Sequence, residues 1–213
     1  MDAFTEPDFS KVALITIDTQ VDVLDGQPFE IPGTSAVLPR VRELLDGFRA
    51  ARAAIVHIVR IYERDASNVD PCRRGAILGG APLLMKDSPG CELAPPLRAH
   101  PDVKLRPEQL LCGEVQSVAE NEVIIYKPRW GAFFKTPLEA HLAEVGANTL
   151  VFCGCNFPNC PRTSIYEASE RDYRVVLAED AVSGLYDKGR AELSNIGVRL
   201  MDTPAVLRAL ERG

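Results

Sequence analysis

The apolar run Val12-Ala-Leu-Ile-Thr-Ile17, closed by Asp18, begins the pattern that decides the fold of this chain. The run is short and β-branched, which predicts a buried strand. A helix is predicted next, from about Thr34 to Arg52, because its apolar residues are spaced to form one face. Ala54-Ile-Val-His-Ile-Val59 has the composition of a second buried strand. Strand, helix and strand in this order predict a parallel crossover unit.

The same alternation returns in the C-terminal half of the chain. Strands are predicted at Val123-Ile-Ile-Tyr126, Thr149-Leu-Val-Phe-Cys153, Tyr173-Arg-Val-Val-Leu177 and Val198-Arg-Leu-Met201. Helices are predicted from about Thr136 to Val145, from about Cys160 to Arg171, and from a cap at Thr203-Pro204. Thr136-Pro-Leu-Glu139 has the pattern of a capping box with Pro at the first helical position. We therefore expect an α/β fold with a doubly wound, mainly parallel sheet and helices on both faces.

The alternation is lost between Tyr62 and Asn121, where Gly, Pro and charged residues recur. We expect irregular structure there, with a short helix from Pro107 to Ala119. Residues 1–213 are thus predicted to form one domain that carries an irregular insertion around 62–121.

Length and composition exclude several classes of protein. A chain of 213 residues suits one domain with a well-buried core. Hydrophobic residues make up 46% and charged residues 25%, which argues against disorder. The net charge of −6, with no basic cluster, disfavours a nucleic-acid partner. No apolar run approaches the roughly 20 residues of a membrane helix, and the N-terminal MDAFTEPDFSK lacks the regions of a signal peptide. We expect a cytoplasmic protein with six reduced cysteines.

Three residues at predicted strand ends could carry chemistry. Asp18 and Lys127 directly follow strands, and Cys160 begins a helix after a third strand. Ligands of doubly wound sheets bind at the carboxyl ends of the strands. A helix N-terminus and a nearby Lys127 ammonium would favour a Cys160 thiolate, and Asp18 could accept its proton. Alternatively, Asp18 and Lys127 form a structural ion pair and Cys160 fills the core. Each residue alone supports the two interpretations about equally.

Three sequence blocks together resemble the isochorismatase-like cysteine hydrolases. They are Leu14-Ile-Thr-Ile-Asp18-Thr-Gln20, Tyr126-Lys127-Pro-Arg-Trp-Gly-Ala-Phe-Phe134 and Gly154-Cys-Asn-Phe-Pro-Asn-Cys160. The last block continues with Thr163-Ser-Ile-Tyr-Glu-Ala168, and Glu179-Asp180-Ala181 follows later. The resemblance covers most of the chain outside its middle third. Between Leu97 and Val123 the chain is longer than the usual family pattern, and this extra loop could shape the pocket or an oligomer contact.

The resemblance implies a six-stranded, mainly parallel sheet and a triad of Asp18, Lys127 and Cys160. It implies a cis peptide bond between Cys155 and Asn156, with the backbone amides of Asn156 and Cys160 forming an oxyanion hole. The implied activity is hydrolysis of a C–N bond in a small amide, carbamoyl or ureido substrate through a thioester. A homodimer or homotetramer is also implied. The chain has neither a dinucleotide fingerprint nor a phosphate loop, so no cofactor is expected.

Other members of this family suggest alternative functions for the chain. Isochorismatase itself hydrolyses a vinyl ether with the Asp acid and does not need the Cys, whereas this chain has Asp18, Lys127 and Cys160 together. A non-catalytic subunit that retains the fold is a further alternative.

Candidate substrate-binding residues lie near the three blocks. Gln20 is a candidate for hydrogen bonding to substrate, and at least one of Trp130, Phe133 and Phe134 is expected to line the pocket, because ligand sites are mostly apolar. Arg162 could bind a substrate carboxylate, but it could equally be a surface charge. For Phe133 and Phe134, packing in the core is the commoner role.

Metal binding is not expected. Nicotinamidase-type members of the family carry an Asp-x-His motif and further histidines after the second strand, where this chain has Arg60, Tyr62, Glu63, Arg64 and Asp65. Cys153, Cys155 and Cys160 offer only three possible zinc ligands and lack the paired spacing of structural sites. His57 lies inside an apolar strand and is expected to be a hydrogen-bonded core residue.

Overall fold

The computed structural model describes residues 3–213, and a seven-stranded sheet runs through its centre. The strands are β1 Val12–Ile17, β2 Ala54–Val59, β3 Gln116–Ala119, β4 Glu122–Tyr126, β5 Thr149–Gly154, β6 Arg174–Val182 and β7 Arg199–Met201. Their order is β3-β4-β2-β1-β5-β6-β7, and every pair is parallel except β3 with β4. The strand order reverses direction between β1 and β5, which places a topological switch point there. The predicted doubly wound α/β fold is confirmed.

Within the described part of the chain, seven α-helices connect or flank the strands. They are α1 Thr34–Ala50, α2 Pro71–Leu78, α3 Pro107–Leu111, α4 Leu138–Glu144, α5 Cys160–Ser169, α6 Asp187–Asn195 and α7 Thr203–Leu210. Within residues 3–213, every helix lacks the length and apolar character that a bilayer-spanning segment requires.

Each face of the sheet has its own apolar core, because alternate residues of a strand point to opposite faces. On one face, Ile15, Phe152 and Leu177 pack with residues of α4 and α5. On the other face, Leu14 and Val151 pack with the apolar side of α1 and with Val206 of α7. The strands of the centre are therefore buried on both sides, as their continuous apolar runs predict.

The insertion adds an edge strand and two small cores of its own. The predicted helix over Pro107 to Ala119 is wrong beyond Leu111, because Gly113 turns the chain with a φ of 84° and Gln116–Ala119 pairs antiparallel with β4. This seventh strand is the departure from the expected six. Residues 97–123 thus build the edge of the sheet and do not line the pocket described below.

Two predicted helix caps differ from those observed. The capping box at Thr136 does not form: the Thr136 hydroxyl donates to Ala132 O at 2.5 Å, and Glu139 pairs with Arg171, just after α5, at 3.0 Å. At α7 the cap is Asp202, whose carboxylate accepts from Ala205 N at 2.8 Å.

Candidate active site

The carboxyl ends of neighbouring strands bring the polar residues to one edge of the sheet. Asp18 follows β1, Arg60 follows β2 and Lys127 follows β4. Gly154, the last residue of β5, has a φ of 111°, and a Cβ there would lie 2.3 Å from the carbonyl oxygen of Ile17. Only glycine permits this approach of β5 to β1. It brings the loop that carries Cys160 beside Asp18.

Asp18 and Lys127 form a buried ion pair. Lys127 Nζ lies 2.8 Å from Asp18 Oδ2, and its side chain is fully buried. Burial opposes a charge on the Asp18 carboxyl, but the Lys127 ammonium and the Arg60 guanidinium outweigh burial and lower its pKa below the usual value. The buried Oδ1 of Asp18 has no hydrogen-bond partner within residues 3–213. This oxygen is therefore available to accept a proton.

Cys160 is the first residue of α5 and is buried. Burial and the neighbouring Asp18 carboxylate raise the pKa of the Cys160 thiol, against the opposing effect of Lys127 and Arg60. The resting site therefore pairs a carboxylate with a protonated thiol. A base beside a thiol can take its proton as the sulfur attacks an electrophile.

Arg60 brings a second cation to the site. Its side chain is only 1% exposed. Nη1 donates to Asp70 Oδ2 at 2.7 Å and Nη2 donates to Arg129 O at 2.6 Å, while the buried Nε has no acceptor among the described residues. Burial would lower the pKa of Arg60, but the charges of Asp18 and of other neighbours raise it. The guanidinium therefore stays charged beside both Asp18 and Cys160.

A pocket of about 250 Å³ opens onto these residues. Its polar wall includes Asp18, Arg60, Arg73, Asn156 and Cys160. Its apolar wall includes Val23, Phe29, Ile31, Leu83 and Leu84. An apolar cavity with a few convergent polar groups is the usual form of a small-molecule site.

Comparison with known proteins of similar sequence and fold identifies the family of this chain. The family model of the isochorismatase domain matches residues 12–203. The chain belongs to the isochorismatase family. The resemblance drawn from the sequence blocks is thereby confirmed, and family membership makes this protein a hydrolase.

Three relatives within the isochorismatase family and its fold illustrate the similarity. A probable inactive nicotinamidase of Arabidopsis thaliana is 27% identical over 195 residues, covering 88% of this chain and 90% of that protein. A ureidoacrylate amidohydrolase of Methylobacterium radiotolerans is 26% identical over 183 residues, covering 81% of this chain and 66% of that protein. The solved structure of an isochorismatase family protein from Desulfovibrio vulgaris has a TM-score of 0.80 and 28% identity, covering 95% of this chain and 99% of that chain.

The cis peptide bond implied for this isochorismatase-family chain is absent. The Cys155–Asn156 bond is trans, as are all peptide bonds between the described residues. A trans bond is favoured by about 3 kcal/mol for a non-proline residue. The loop is also held in this form, since Cys155 N donates to Ile17 O at 2.9 Å and Phe157 N donates to Ser183 O at 2.8 Å. The expectation of a cis bond is therefore wrong for this structure.

The two amides expected to form an oxyanion hole remain unpaired in the structure. Within residues 3–213, neither the N–H of Asn156 nor that of Cys160 donates to a protein acceptor. Asn156 and Cys160 both line the pocket, and Cys160 N–H lies at a helix N-terminus, where amides are free to bind anions.

Two of the expected substrate-binding residues lie behind the pocket wall. Gln20 is fully buried, accepts from Arg60 N at 2.8 Å and donates to Arg60 O at 2.8 Å. Its amide therefore fixes the backbone of Arg60 and does not face the pocket. The Trp130 ring lies under the guanidinium of Arg60 at 5.6 Å and under that of Arg73 at 4.8 Å.

Phe133, Phe134 and Arg162 are not brought to the pocket. Phe133 packs in the core against Tyr173, with ring centroids 5.8 Å apart. Phe134 is 44% exposed on the surface. Arg162 pairs with Glu192 at 2.5 Å and donates to the Tyr186 hydroxyl at 3.2 Å. These residues follow Lys127 or Cys160 closely in sequence, which predicted that they would lie near the pocket. In the structure each side chain points away from the pocket.

Several pocket residues have weak sequence signals. Arg73, Leu83 and Leu84 come from the insertion, which has no periodic pattern. Arg60 did carry a signal, because it directly follows β2 as Asp18 follows β1.

A divalent metal does not fit the position that binds metal in nicotinamidase-type relatives. That position holds Arg60 and Tyr62, and an arginine side chain has no lone pair to offer a metal. The zinc alternative also finds no support from the cysteines: Cys153 belongs to the core on the α1 face, whereas Cys155 and Cys160 line the pocket. Within residues 3–213, no group of three or more metal-binding side chains converges.

Proposed function

We propose that this isochorismatase-family hydrolase cleaves the C–N bond of a small amide, carbamoyl or ureido compound through a thioester on Cys160. The observation that carries the proposal is that Cys160 and Asp18 line one pocket, with the buried Lys127 paired to Asp18. The amidohydrolase named among the relatives adds support. A carboxylate with one free oxygen beside a buried thiol suits acyl transfer, in which one group must both take and return a proton.

The first half of the reaction forms the thioester. Asp18 Oδ1 takes the proton of the Cys160 thiol as the sulfur bonds to the substrate carbonyl carbon. The negative charge then moves to the carbonyl oxygen, where the N–H groups of Asn156 and Cys160 are the proposed donors. The C–N bond breaks, the nitrogen takes the proton from Asp18, and an amine or ammonia leaves.

The second half restores the enzyme. Water attacks the thioester carbon and gives a proton to Asp18, and the C–S bond breaks. The departing sulfur takes that proton back, so Cys160 returns to a thiol and Asp18 to a carboxylate. Lys127 stays bound to Asp18 Oδ2 throughout and offsets the buried negative charge.

The oligomeric state and the cellular location are proposed on separate grounds. We propose a homodimer or homotetramer, as the family resemblance implies. We also propose a cytoplasmic location, which agrees with six free cysteines.

Ammonia release tests the proposal. Small amides, N-carbamoyl acids and ureido acids would be incubated with the native protein, with Cys160→Ala and with Cys112→Ala, which changes an exposed cysteine outside the pocket. We expect release by the native protein and by Cys112→Ala, and none by Cys160→Ala. Ammonia release that survives in Cys160→Ala would contradict the proposal and assign the chemistry to Asp18. No turnover of any panel compound, together with hydrolysis of an isochorismate-like vinyl ether, would favour the vinyl ether alternative. No turnover of the panel compounds or of a vinyl ether by the native protein would favour a non-catalytic subunit that retains the fold.

A further inference from the structure

The pocket contains two arginine side chains that the proposed reaction does not use. Arg60 and Arg73 both line it, and both guanidinium groups lie over the ring of Trp130. Arg73 comes from α2, which belongs to the insertion, whereas Arg60 follows a strand of the sheet. Two cations are thus held on one wall, one at a strand end and one on the helix that follows in the chain.

The two guanidinium groups share one carboxylate. Asp70 Oδ2 lies 2.7 Å from Arg60 Nη1 and 3.9 Å from Arg73 Nη1. The Tyr62 hydroxyl donates to the same oxygen at 2.9 Å and accepts from Arg73 Nη1 at 2.9 Å. Burial raises the pKa of Tyr62 to about 12, although Arg60 and Arg73 oppose the shift. Tyr62 is therefore neutral and adds no negative charge.

The charges of this wall do not cancel. Lys127 is offset by Asp18, and Asp70 offsets only one of the two guanidinium groups. Among the described residues, Glu30 is the only acidic side chain besides Asp18 that lines the pocket, and it is exposed and accepts from Gly26 N at 2.6 Å. One positive charge is therefore left uncompensated inside the pocket.

The free donors are on the same two side chains. Nε of Arg60 is buried without an acceptor. Nε and Nη2 of Arg73 donate to no protein acceptor within residues 3–213, while Tyr62 and Trp130 fix the position of its guanidinium. A fixed guanidinium with free N–H groups matches the geometry of a carboxylate.

We propose that Arg60 and Arg73 form a subsite for a carboxylate on the substrate, so that the protein acts on carbamoyl or ureido acids in preference to neutral amides. This rests on the proposed function and narrows its substrate class. Arg73 supplies the two-pronged contact, and Arg60 adds charge from the pocket wall. Arg60 and Arg73 both interact electrostatically with Cys160, so a bound carboxylate would lie within a short substrate's length of the scissile carbonyl. A pocket of about 250 Å³ suits a compound of this size.

Binding without turnover tests the subsite independently of catalysis. The probes are N-carbamoylglycine and its neutral counterpart N-carbamoylglycinamide, and Kd is measured by ligand-observed NMR on the Cys160→Ala protein. We expect N-carbamoylglycine to bind at least about tenfold more tightly. Adding Arg73→Met should weaken its binding about 10–100-fold, the usual effect of losing a charged hydrogen bond, and leave the neutral probe unchanged. The matched change Arg74→Met on the same helix should alter neither Kd.

Equal binding of the two probes, binding of neither, or equal weakening of both by Arg73→Met would overturn the subsite. The proposed function fails in a different way. If N-carbamoylglycine binds with the expected dependence on Arg73 but no compound of the ammonia-release panel is hydrolysed by the native protein, the subsite stands and the hydrolysis is wrong.

Discussion

The Asp18 carboxylate interacts with a cation and with a thiol. It forms an ion pair with Lys127, and its negative charge raises the pKa of the Cys160 thiol. The carboxylate thus keeps the Cys160 thiol protonated at rest, and in the proposed reaction it removes the proton only when the sulfur attacks. Loss of this carboxylate is therefore expected to slow hydrolysis and to speed the reaction of the resting Cys160 thiol with an alkylating reagent.

Alkylation of Cys160 tests this relation. In Asp18→Asn the negative charge disappears, the pKa of the Cys160 thiol falls, and iodoacetamide at pH 7.5 should modify Cys160 faster than in the native protein. Hydrolysis by the same variant should fall by about 10²–10⁴-fold, since the proton acceptor is gone. The rate is followed by mass spectrometry of the peptide that contains Cys160. The exposed Cys112 serves as an internal control, and slower alkylation of Cys160 in the variant would contradict this account.

At the scale of elements, strand ends and one glycine position the site. Parallel strands that end at the same edge of the sheet are enough to bring Asp18, Arg60 and Lys127 together. Cys160 reaches them because Gly154 allows β5 to contact β1 closely. The backbone of a strand end therefore controls the distance between nucleophile and base.

Substitution of Gly154 measures the strength of this constraint. In Gly154→Ala the new Cβ would meet the backbone of Ile17 at a φ of 111°, so we expect a loss of about 2–4 kcal/mol in the free energy of unfolding and loss of hydrolysis. Gly113→Ala is the matched control, because Gly113 has a φ of 84° with nothing within 4 Å. It should lose only about 1–2 kcal/mol. Urea unfolding of both variants gives the comparison, and equal losses would show that the contact with β1 is unimportant.

The elements also show how far the sequence predicts the structure. Continuous apolar runs revealed β1, β2, β4 and β5, because strands buried on both faces cannot be polar. The end of β6 was placed too early at Leu177, since Glu179 and Asp180 look like a turn. In the structure Glu179 pairs with Arg190 and Asp180 accepts from Thr203, so both stay in the strand.

Other elements gave no usable pattern. The helix α6 was not predicted, because few of its residues are buried and its apolar face is narrow. The positions of Asp18, Lys127 and Cys160 at the carboxyl edge of the sheet follow from strand ends and from the family blocks, and their catalytic roles stay a prediction. The pocket wall was not predicted, because Arg73, Leu83 and Leu84 are placed by tertiary packing of an insertion without periodicity.

At the scale of the whole molecule, a second buried network lies at the opposite end of β2 and β4. Glu122 accepts from Arg49 of α1 at 2.7 Å and contacts His57 Nε2 at 2.8 Å, and His57 Nδ1 contacts the Thr16 hydroxyl at 2.8 Å. His57 is thus the hydrogen-bonded core residue that its strand position predicted. The network ties β1, β2, β4 and α1 together.

This network makes stability depend on pH. Burial opposes the charge of Glu122, but hydrogen bonds from Arg49 and His57 lower its pKa from 4.5 to about 2. The folded state therefore binds fewer protons than the unfolded state, so the stabilisation is complete above pH 4.5 and is lost as the pH falls towards 2. Urea midpoints between pH 2 and 6 should fall more steeply for the native protein than for Glu122→Gln. Glu43→Gln, in an exposed pair with Arg40, is the control and should follow the native curve. Parallel curves for the native protein and Glu122→Gln would contradict the assignment.

The proposed thioester requires a covalent bond between Cys160 and the substrate. Acid quenching during turnover of a hydrolysed compound from the ammonia-release panel, followed by mass spectrometry of the peptides, detects this bond. We expect an acyl or carbamoyl adduct on Cys160 that appears before ammonia release reaches its steady rate and is absent from Cys160→Ala. Steady hydrolysis by Cys160→Ala, or an adduct on another residue, would contradict the proposed thioester.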